Sequence, residues 1–358
     1  MKSRHSGTNE RMRDALACVA PGTPLRSGID RVVRAQAGAL LVLNDAPDVL
    51  SICSGGFLVD APYSPQRLSE LAKMDGAIII STDGGRIARA NVHLVPDPSV
   101  PTSETGTRHR TAERVARSLN VPVVSASEEM GVINVYAGGS KRQLQEVSHL
   151  LDRANQALQT LERYKVRLDD AILNLTTVEV EDVVTLRDVA AVVQRGEMVH
   201  RIADEIETMI IELGVEARLL RLQLDELYGE IDNELDLVVA DYIPADRSTG
   251  ETLEEMSRLS DDEVLNIRLA AATLFPNDEN EDLGREVSPK GLRLLHRVSR
   301  LPQDTASAVA DHFGGLARLQ RATVDDLLLI ECMDEPTARA IRETLTRVTE
   351  STILDQYS

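Results

Sequence analysis

The sequence is poor in cysteine and has no long apolar run. Its three cysteines, Cys18, Cys53 and Cys332, lie far apart, form no CxxC pair and have no histidine at ligand spacing. This excludes the common zinc motifs and a disulfide framework, and it is typical of a reducing cytosol. No apolar run approaches the ~18 residues that a membrane helix needs, and the N-terminus is polar, so we expect a soluble, cytoplasmic protein.

The chain also lacks net positive charge and tryptophan. The formal net charge is −19 at pH 7, and a uniformly acidic surface repels duplex DNA, so any DNA contact must be local. With three Phe, six Tyr and no Trp, the cores must consist of aliphatic residues, which suits packed helices better than a β-sandwich. A length of 358 residues exceeds one core and predicts two or three domains.

Strand and helix patterns alternate over residues 1–140. The apolar runs 39–43 and 77–80 predict buried strands. Thr82-Asp83-Gly84-Gly85 predicts a hairpin turn into a further strand. This mixture of hairpins and helices predicts an α/β domain in which helices flank a mixed sheet.

The spacing of apolar residues changes to intervals of three and four after residue 140. Two heptad-like runs, 144–175 and 206–238, predict long helices, interrupted at Thr176-Thr177-Val178-Glu179, with the second closed by Pro244. We therefore predict an all-α bundle over residues 141–285 that acts as a spine, or else an ordinary helical domain. Its acidic end, 276–282, reads as a linker.

Residues 286–358 contain two copies of one all-α pattern. Leu301-Pro302 and the stretch 331–334 each separate two helical segments. Such tandem helix-hairpin-helix units present backbone N–H groups to DNA phosphates. The second turn has Cys332-Met333-Asp334 instead of the Gly-x-Gly that this motif prefers. DNA contact would then depend on a locally basic window, for which the candidate residues are Lys290, Arg293, Arg297 and Arg300.

A basic stretch, Gly106-Thr107-Arg108-His109-Arg110-Thr111, predicts a polyphosphate site. Two guanidiniums that flank an imidazole provide fixed donors for phosphate. Thr107 or Thr111 can cap the helix that begins here, and the positive end of that helix favours the same anion. Asp75, directly before the strand 77–80, supplies a carboxylate for Mg²⁺ or Mn²⁺. The sequence therefore predicts a nucleotide site.

Two simpler interpretations of these residues stay open. Asp75-Gly76 alone would usually be a plain turn, and Arg108 and Arg110 could pair with Glu104 and Glu113 at a solvated surface.

The tripeptide Asp75-Gly76-Ala77 together with the stretch 106–111 resembles the paired DGA and RHR motifs of the diadenylate cyclase domain. The order of the whole chain is similar to the DNA integrity scanning diadenylate cyclases. The resemblance implies condensation of two ATP into cyclic di-AMP, with release of two pyrophosphates, in cyclase domains paired face to face. It also implies an octamer, a nucleoid-associated location, and binding of branched DNA or recombination intermediates as a DNA-damage checkpoint.

The resemblance assigns roles to individual residues. Asp75 would bind Mg²⁺ or Mn²⁺ and help to activate the 3′-hydroxyl, while Arg108 and Arg110 would clamp the triphosphate. His109 would be a phosphate donor rather than a general base. Glu129, ranked above Glu128, would complete the metal shell. The remaining residues expected to line the ATP site are Gly76, Ala77, Leu94, Thr107, Thr111 and Ser127.

Two rival functions remain. One is a non-catalytic scaffold that senses nucleotide and binds DNA, although a sensor needs no metal carboxylate such as Asp75. The other is a nucleotidyltransferase that acts on DNA ends or tRNA, which would commonly use a second metal-binding aspartate; Asp83 is not excluded. The sequence has no GxxxxGK[ST] motif, which argues against an ATP-driven motor.

Overall fold

The structure is a computed structural model that describes residues 7–128, 131–244, 246–276, 282–331 and 333–356. These residues form two compact units. One contains residues up to 158 together with 205–224, and the other contains 159–204 together with the chain from 225 onward. The three divisions, at 158/159, 204/205 and 224/225, each fall inside a helix, so three helices contribute residues to both units.

The N-terminal part of the chain alternates strands and helices. In chain order its elements are α1 (Gly7–Cys18), α2 (Pro24–Arg34), β1 (Ala39–Val42), α3 (Pro47–Ser51), β2 (Cys53–Ser54), β3 (Phe57–Pro62), α4 (Pro65–Leu71), β4 (Ala77–Ile80), β5 (Arg86–Leu94), α5 (Thr107–Leu119), β6 (Val123–Ala126), β7 (Ile133–Ala137) and β8 (Ser140–Gln143).

The strands form one mixed sheet. Their order is β2-β5-β4-β1-β6-β7-β8, and β3 also pairs with β5. Strands β1 and β4 are parallel, whereas the other pairs that the structure describes are antiparallel. The predicted mixed α/β sheet is therefore confirmed.

Both faces of the sheet are covered. Leu41 of β1 packs in a core with α1, α2 and α4, while its neighbours Leu40 and Val42 pack in a second core with α3 and α5. A strand that is buried on both faces reads as a continuous apolar run, which is why residues 39–43 were recognisable in the sequence.

The end of the sheet differs from the prediction. The strand and helix patterns were expected to end at residue 140, but Gly138 and Gly139, with positive φ of +56° and +80°, form a two-residue hairpin between Ala137 and Ser140. Glycine tolerates this conformation without steric cost. The hairpin adds β8, whose residues are polar and largely exposed. Because the strand has no apolar residues, the sequence pattern did not predict it.

The helical region begins with two long helices. The elements that follow the sheet are α6 (Val147–Glu181), α7 (Leu186–Leu213), a 3₁₀ turn (Gly214–Ala217), α8 (Arg218–Tyr228) and α9 (Ile231–Tyr242). The predicted interruption at 176–179 is wrong, because the Thr176 and Thr177 hydroxyls donate to carbonyls one turn back, at 2.9 and 3.1 Å, and the helix continues. The helix ends instead at Glu181, and the next residue, Asp182, has a φ of +58°.

The second heptad-like run is not one helix. It is divided at Gly214, which has a φ of +54°, and a Cβ there would lie 2.4 Å from the Pro21 carbonyl oxygen. Only glycine fits such a position. The apolar spacing continues across the break, so periodicity alone gave no sign of it.

The rest of the chain consists of short helices and one long one. They are α10 (Thr249–Arg258), α11 (Asp261–Val264), α12 (Ile267–Leu274), α13 (Leu292–His296), α14 (Gln303–Phe313), α15 (Leu316–Arg321), α16 (Val324–Leu327) and α17 (Glu335–Gln356). Their assignment as tandem helix-hairpin-helix units stays a prediction. No helix among the described residues has the length and apolar character to cross a membrane.

Candidate active site

The N-terminal ends of the two parallel strands form one edge of the sheet. Leu40 of β1 pairs with Ala77 of β4, so Gly38 and Asp75, two residues before each of them, lie side by side at this edge. Strand β6 runs antiparallel to β1, with Ala126 opposite Ala39, so Ser127 reaches the same edge from the other side. The Asp75 side chain is exposed there.

Gly76 brings two backbones into close contact at this edge. Its φ is +103°, and an added Cβ would lie 2.9 Å from the Asn91 carbonyl carbon and 3.0 Å from the Val92 nitrogen. Both the dihedral angle and the lack of space require glycine. This close packing of Gly76 against the backbone of residues 91–92 fixes the backbone direction of Asp75, just before β4 begins.

Arg108 lies against the same edge. A Cβ built on Gly38 would be 2.0 Å from Arg108 Nη1 and 2.6 Å from its Cζ, so the guanidinium occupies the space above Gly38. Because Gly38 and Asp75 directly precede the paired strands β1 and β4, Arg108 and Asp75 lie at the same edge of the sheet. Sequence reasoning missed Gly38, since its role depends on strand pairing and no local motif marks it.

Gly38→Ala is expected to weaken ATP use without unfolding the protein. The new methyl group would displace the flexible end of Arg108 rather than backbone, so the fold can adapt while the guanidinium moves. We expect KM for ATP to rise about tenfold, equal to ~1.4 kcal/mol of lost interaction, with an unchanged melting temperature. Gly250→Ala is the control, because nothing lies within 4 Å of a Cβ there. An unaltered KM would show that the position of Arg108 is unimportant.

Helix α5 begins with an open N-terminus. Its N-cap residue is Gly106, which makes no side-chain capping bond. The predicted caps are not formed, because Thr107 is already the first helical residue and the Thr111 hydroxyl donates to the Thr107 carbonyl at 2.9 Å. The backbone N–H groups of the first turn therefore have no side-chain cap and remain available to an anion.

Arg108 and Arg110 are not part of a surface ion-pair network. Within the described chain neither side chain forms an ion pair or a hydrogen bond. Glu104 instead pairs with Lys141 at 2.6 Å, and Glu113 pairs with Arg117 at 2.8 Å. The interpretation in which the two arginines neutralise these carboxylates is therefore wrong.

Glu113 holds the segment that leads to α5. Its carboxylate accepts hydrogen bonds from the Thr102 hydroxyl at 2.5 Å and from the Ser103 backbone N–H at 3.0 Å. Burial raises the pKa of Glu113, but these bonds and Arg117 outweigh it, and the net pKa is lowered. The ionised carboxylate thus fixes the approach to Gly106.

Two hydroxyl groups contact the imidazole of His109, which lies in the first turn of α5. Its Nδ1 lies 3.0 Å from the Tyr136 hydroxyl and 3.1 Å from the Ser125 hydroxyl, and Ser125 and Tyr136 are buried. Burial is the main cause of a lowered His109 pKa, and Lys141 and Arg108 lower it further, whereas Glu104 raises it. This pattern favours a neutral imidazole near neutral pH.

The remaining predicted nucleotide residues differ in exposure. Thr107 is exposed and Ser127 is half-buried, with its backbone N–H donating to the Val132 carbonyl at 2.9 Å. Ala77 and Leu94 point into the core beneath α5. These two residues can therefore contribute mainly backbone groups and shape to a nucleotide site.

The donor set at the edge fits a substrate-bound divalent ion. Mg²⁺ commonly uses one or two carboxylates together with substrate phosphates, and the exposed Asp75 can supply the carboxylate. Among the described residues no group of three His, Cys, Asp or Glu side chains forms a metal centre. The second predicted ligand, Glu129, lies outside the described residues.

Two of the four predicted DNA contacts are structural. Arg293 is 2% exposed, and its guanidinium binds Glu179 and, at 3.0 Å, the Thr176 hydroxyl. Lys290 donates to the Ala240 and Ile243 carbonyls at 2.8 and 2.9 Å. The burial of Arg293 and the carbonyl contacts of the half-buried Lys290 contradict their assignment to a DNA surface. Apolar spacing cannot distinguish a buried arginine from an exposed one.

The other two predicted DNA contacts, Arg297 and Arg300, are exposed. In the second turn, Asp334 accepts a hydrogen bond from the Thr337 backbone N–H at 2.9 Å and so caps α17. This bond gives Asp334, in the turn that lacks Gly-x-Gly, a structural role. Cys332 of the same turn lies outside the described residues.

Known protein families and individual proteins match most of the chain. Residues 26–141 match the family described as DisA bacterial checkpoint controller nucleotide-binding, and residues 144–282 match the DisA bacterial checkpoint controller linker region. A DNA integrity scanning protein DisA of Streptomyces coelicolor is 48% identical over 357 residues, covering 98% of this chain and 96% of that protein. The DisA of Frankia alni is 49% identical over 348 residues, covering 96% and 97%.

A solved structure offers a weaker likeness. The crystal structure of DacA from Staphylococcus aureus is 25% identical and covers 39% of this chain and 91% of that chain, with a TM-score of 0.28. A likeness of this size carries no argument about the site.

Proposed function

This chain belongs to the DisA family and is a diadenylate cyclase, and from this premise we propose that it condenses two ATP into cyclic di-AMP in a face-to-face pair of cyclase domains. The observation that best supports the proposal is the placement of Asp75 and Arg108 at one edge of the sheet. A carboxylate and a guanidinium at one edge of the sheet suit a metal-bound triphosphate.

A pair of domains follows from the symmetry of the product. Each ATP must present its 3′-hydroxyl to the α-phosphorus of the other, and each pyrophosphate must leave on the opposite side. A two-fold arrangement of two identical sites achieves this by positioning alone. One isolated site can bind ATP but cannot close the ring.

Different residues at this edge of the sheet bind the phosphates and the metal ion. The open N-terminus of α5 receives phosphate oxygens on backbone N–H groups, and Arg108 and Arg110 hold the departing pyrophosphate and compensate its charge. Asp75 would hold Mg²⁺ or Mn²⁺, with Glu129 as a further candidate ligand. When bound, the ion neutralises phosphate charge and makes the 3′-hydroxyl more acidic.

The direct test is product analysis. Purified full-length protein is incubated with ATP and Mg²⁺ or Mn²⁺, with an EDTA-treated sample as control, and the products are identified by mass. We expect cyclic di-AMP with two pyrophosphates per ring and no product in EDTA. ATP binding without turnover in either metal would favour the alternative, a nucleotide-sensing scaffold. Sizing of the same preparation tests the octamer that the family resemblance implies.

We further propose that the exposed part of the basic window, Arg297 and Arg300, contacts branched DNA. Reversing both charges to glutamate should weaken binding to a four-way junction and flatten its dependence on salt, because each lost phosphate contact removes about one unit of slope. The measurement is a titration of fluorescent junction and duplex DNA at several salt concentrations.

A matched control carries the same change in net charge elsewhere. Arg163 and Arg218 are exposed and lie outside the C-terminal region, so their joint reversal should leave the salt slope unchanged. Equal losses in both double variants would indicate a general effect of net charge, and the DNA surface would then have to be sought elsewhere.

A further inference from the structure

A chain of polar contacts runs from the protein surface to His109. Lys141 of β8 pairs with Glu104 at 2.6 Å, and Tyr136 of β7 donates its hydroxyl proton to Glu104 at 3.2 Å. The Tyr136 oxygen in turn lies 3.0 Å from His109 Nδ1. The β7–β8 hairpin and the segment that precedes α5 thus meet at one imidazole in the first turn of α5.

Counting protons along this chain fixes the direction of each bond. Glu104 is paired with an ammonium group, so it is ionised and can only accept. Tyr136 has a single hydroxyl proton, which it gives to Glu104, and burial together with Glu104 raises its pKa, so that proton stays in place. The Tyr136 oxygen, 3.0 Å from Nδ1, can then only accept a hydrogen bond from His109, which requires a proton on Nδ1, and the Ser125 oxygen, 3.1 Å from the same nitrogen, can accept a share of that bond.

The opposite edge of the imidazole faces the start of the helix. His109 Cδ2, which is bonded to Nε2, lies 3.6 Å from the position of a Cβ on Gly106, the N-cap residue of α5. A neutral ring with its proton on Nδ1 has a lone pair on Nε2. Such an atom accepts hydrogen bonds and cannot donate one to a phosphate oxygen, which opposes the phosphate-donor role expected from the sequence.

We propose that Tyr136, Glu104 and Lys141 are positioning residues that hold His109 as the Nδ1–H tautomer, so that Nε2 accepts a hydrogen bond from a ribose hydroxyl of ATP. The proposal rests on the nucleotide function argued above. Ionised phosphates have no O–H group, so the O–H donors of bound ATP are the 2′- and 3′-hydroxyls. The tautomer itself follows from the protein alone.

The groups that surround His109 support a neutral ring. Arg108 on its own helix and Lys141 on β8 disfavour a second proton, as does burial, and only Glu104 favours one. Tyr136 on β7 and Ser125 on β6 are neutral. Two cations and burial thus outweigh one carboxylate, and lowering the pH far enough would add a proton to Nε2 and abolish its acceptor role.

The tautomer can be measured without turnover. Full-length protein labelled with ¹⁵N in its seven histidines gives a long-range ¹H–¹⁵N spectrum at pH 8, in which the His109 signal is identified by its loss in His109→Asn. We expect a protonated Nδ1 and an unprotonated Nε2. A protonated Nε2 in the wild type would overturn the proposal, whether or not cyclic di-AMP is formed.

Two variants should reverse the tautomer by different routes. In Tyr136→Phe the acceptor is gone, and the Ser125 hydroxyl can donate to Nδ1. In Glu104→Gln an amide N–H can donate to the Tyr136 oxygen, whose own proton then turns to Nδ1. Tyr63→Phe is the matched control, since that hydroxyl donates to the Pro24 carbonyl at 3.2 Å, away from His109. Wild-type spectra for both site variants would contradict the positioning role.

Nucleotide binding identifies the hydroxyl. Wild-type protein should bind either 2′-deoxyATP or 3′-deoxyATP about fivefold more weakly than ATP, the loss of one hydrogen bond, and Tyr136→Phe should lose this discrimination. Equal affinity of the wild type for all three nucleotides would refute the acceptor role. If the discrimination and the tautomer are found but no cyclic product forms, the proposed catalysis fails and the inference about His109 stands.

Discussion

Asp75→Asn is expected to reduce formation of cyclic di-AMP by about 10²–10³-fold, the range typical of removing one preorganised electrostatic group from a phosphoryl or acyl transfer site. The carboxylate is exposed at the edge where β1 and β4 begin, and asparagine keeps its shape while removing the charge that a divalent ion needs. Because the side chain contributes to no core, the fold should be unaffected. The rate is measured from ATP with Mg²⁺ and with Mn²⁺.

Asp48→Asn is the control for this substitution. Asp48 is an exposed acid in the same domain and lies in α3, so it tests the loss of one negative charge without a change at the edge. The Asp75 variant must also retain the size of the wild-type assembly, which separates lost catalysis from lost pairing. Near-normal product formation by a correctly assembled Asp75→Asn protein would remove the metal role and leave the cyclase mechanism without its central group.

Local signals were sufficient for the nucleotide edge. Asp75-Gly76-Ala77 combines a turn residue with a strand that is buried on both faces, and the basic stretch combines a glycine with a helix of regular apolar spacing. Each of these features is expressed in neighbouring residues. Their convergence could be expected from the family resemblance, whereas the parallel register of β1 and β4 gives it a physical cause.

Contacts between residues that are distant in sequence could not be predicted from local sequence patterns. Gly38 is significant only because Arg108, seventy residues later, lies above it. Tyr136 and Lys141 were assigned no role, since nothing local links either of them to His109. Thr176 and Glu179 were taken as a helix break on propensity alone, yet Glu179 binds a buried arginine from α13. At residues 176–179, tertiary contacts overrode the local preference.

The second large expected effect is a loss of stability on replacing the buried Arg293. Arg293→Ala is expected to lower the free energy of unfolding of the helical unit that contains it by about 3–5 kcal/mol, the usual result of removing one partner of a buried ion pair. Glu179 would remain in the interior with a hydrogen bond from the Tyr242 hydroxyl at 2.6 Å and without its guanidinium. Urea denaturation followed by circular dichroism measures the loss, and hydrogen exchange of α13 localises it.

The double variant Arg293→Met/Glu179→Gln should recover part of the stability, because the glutamine can still accept the Tyr242 proton and the charge that Glu179 would leave unpaired is gone. The buried Asp241 keeps its hydrogen bonds from the backbone N–H groups of positions 292 and 293. The exposed Arg300→Ala should change stability by less than about 0.5 kcal/mol. A stable Arg293→Ala protein that loses only its affinity for DNA would return this residue to the DNA surface. Destabilisation that the double variant relieves would assign it to the core, and any loss of DNA binding in the single variant would then follow from the unfolding of α13.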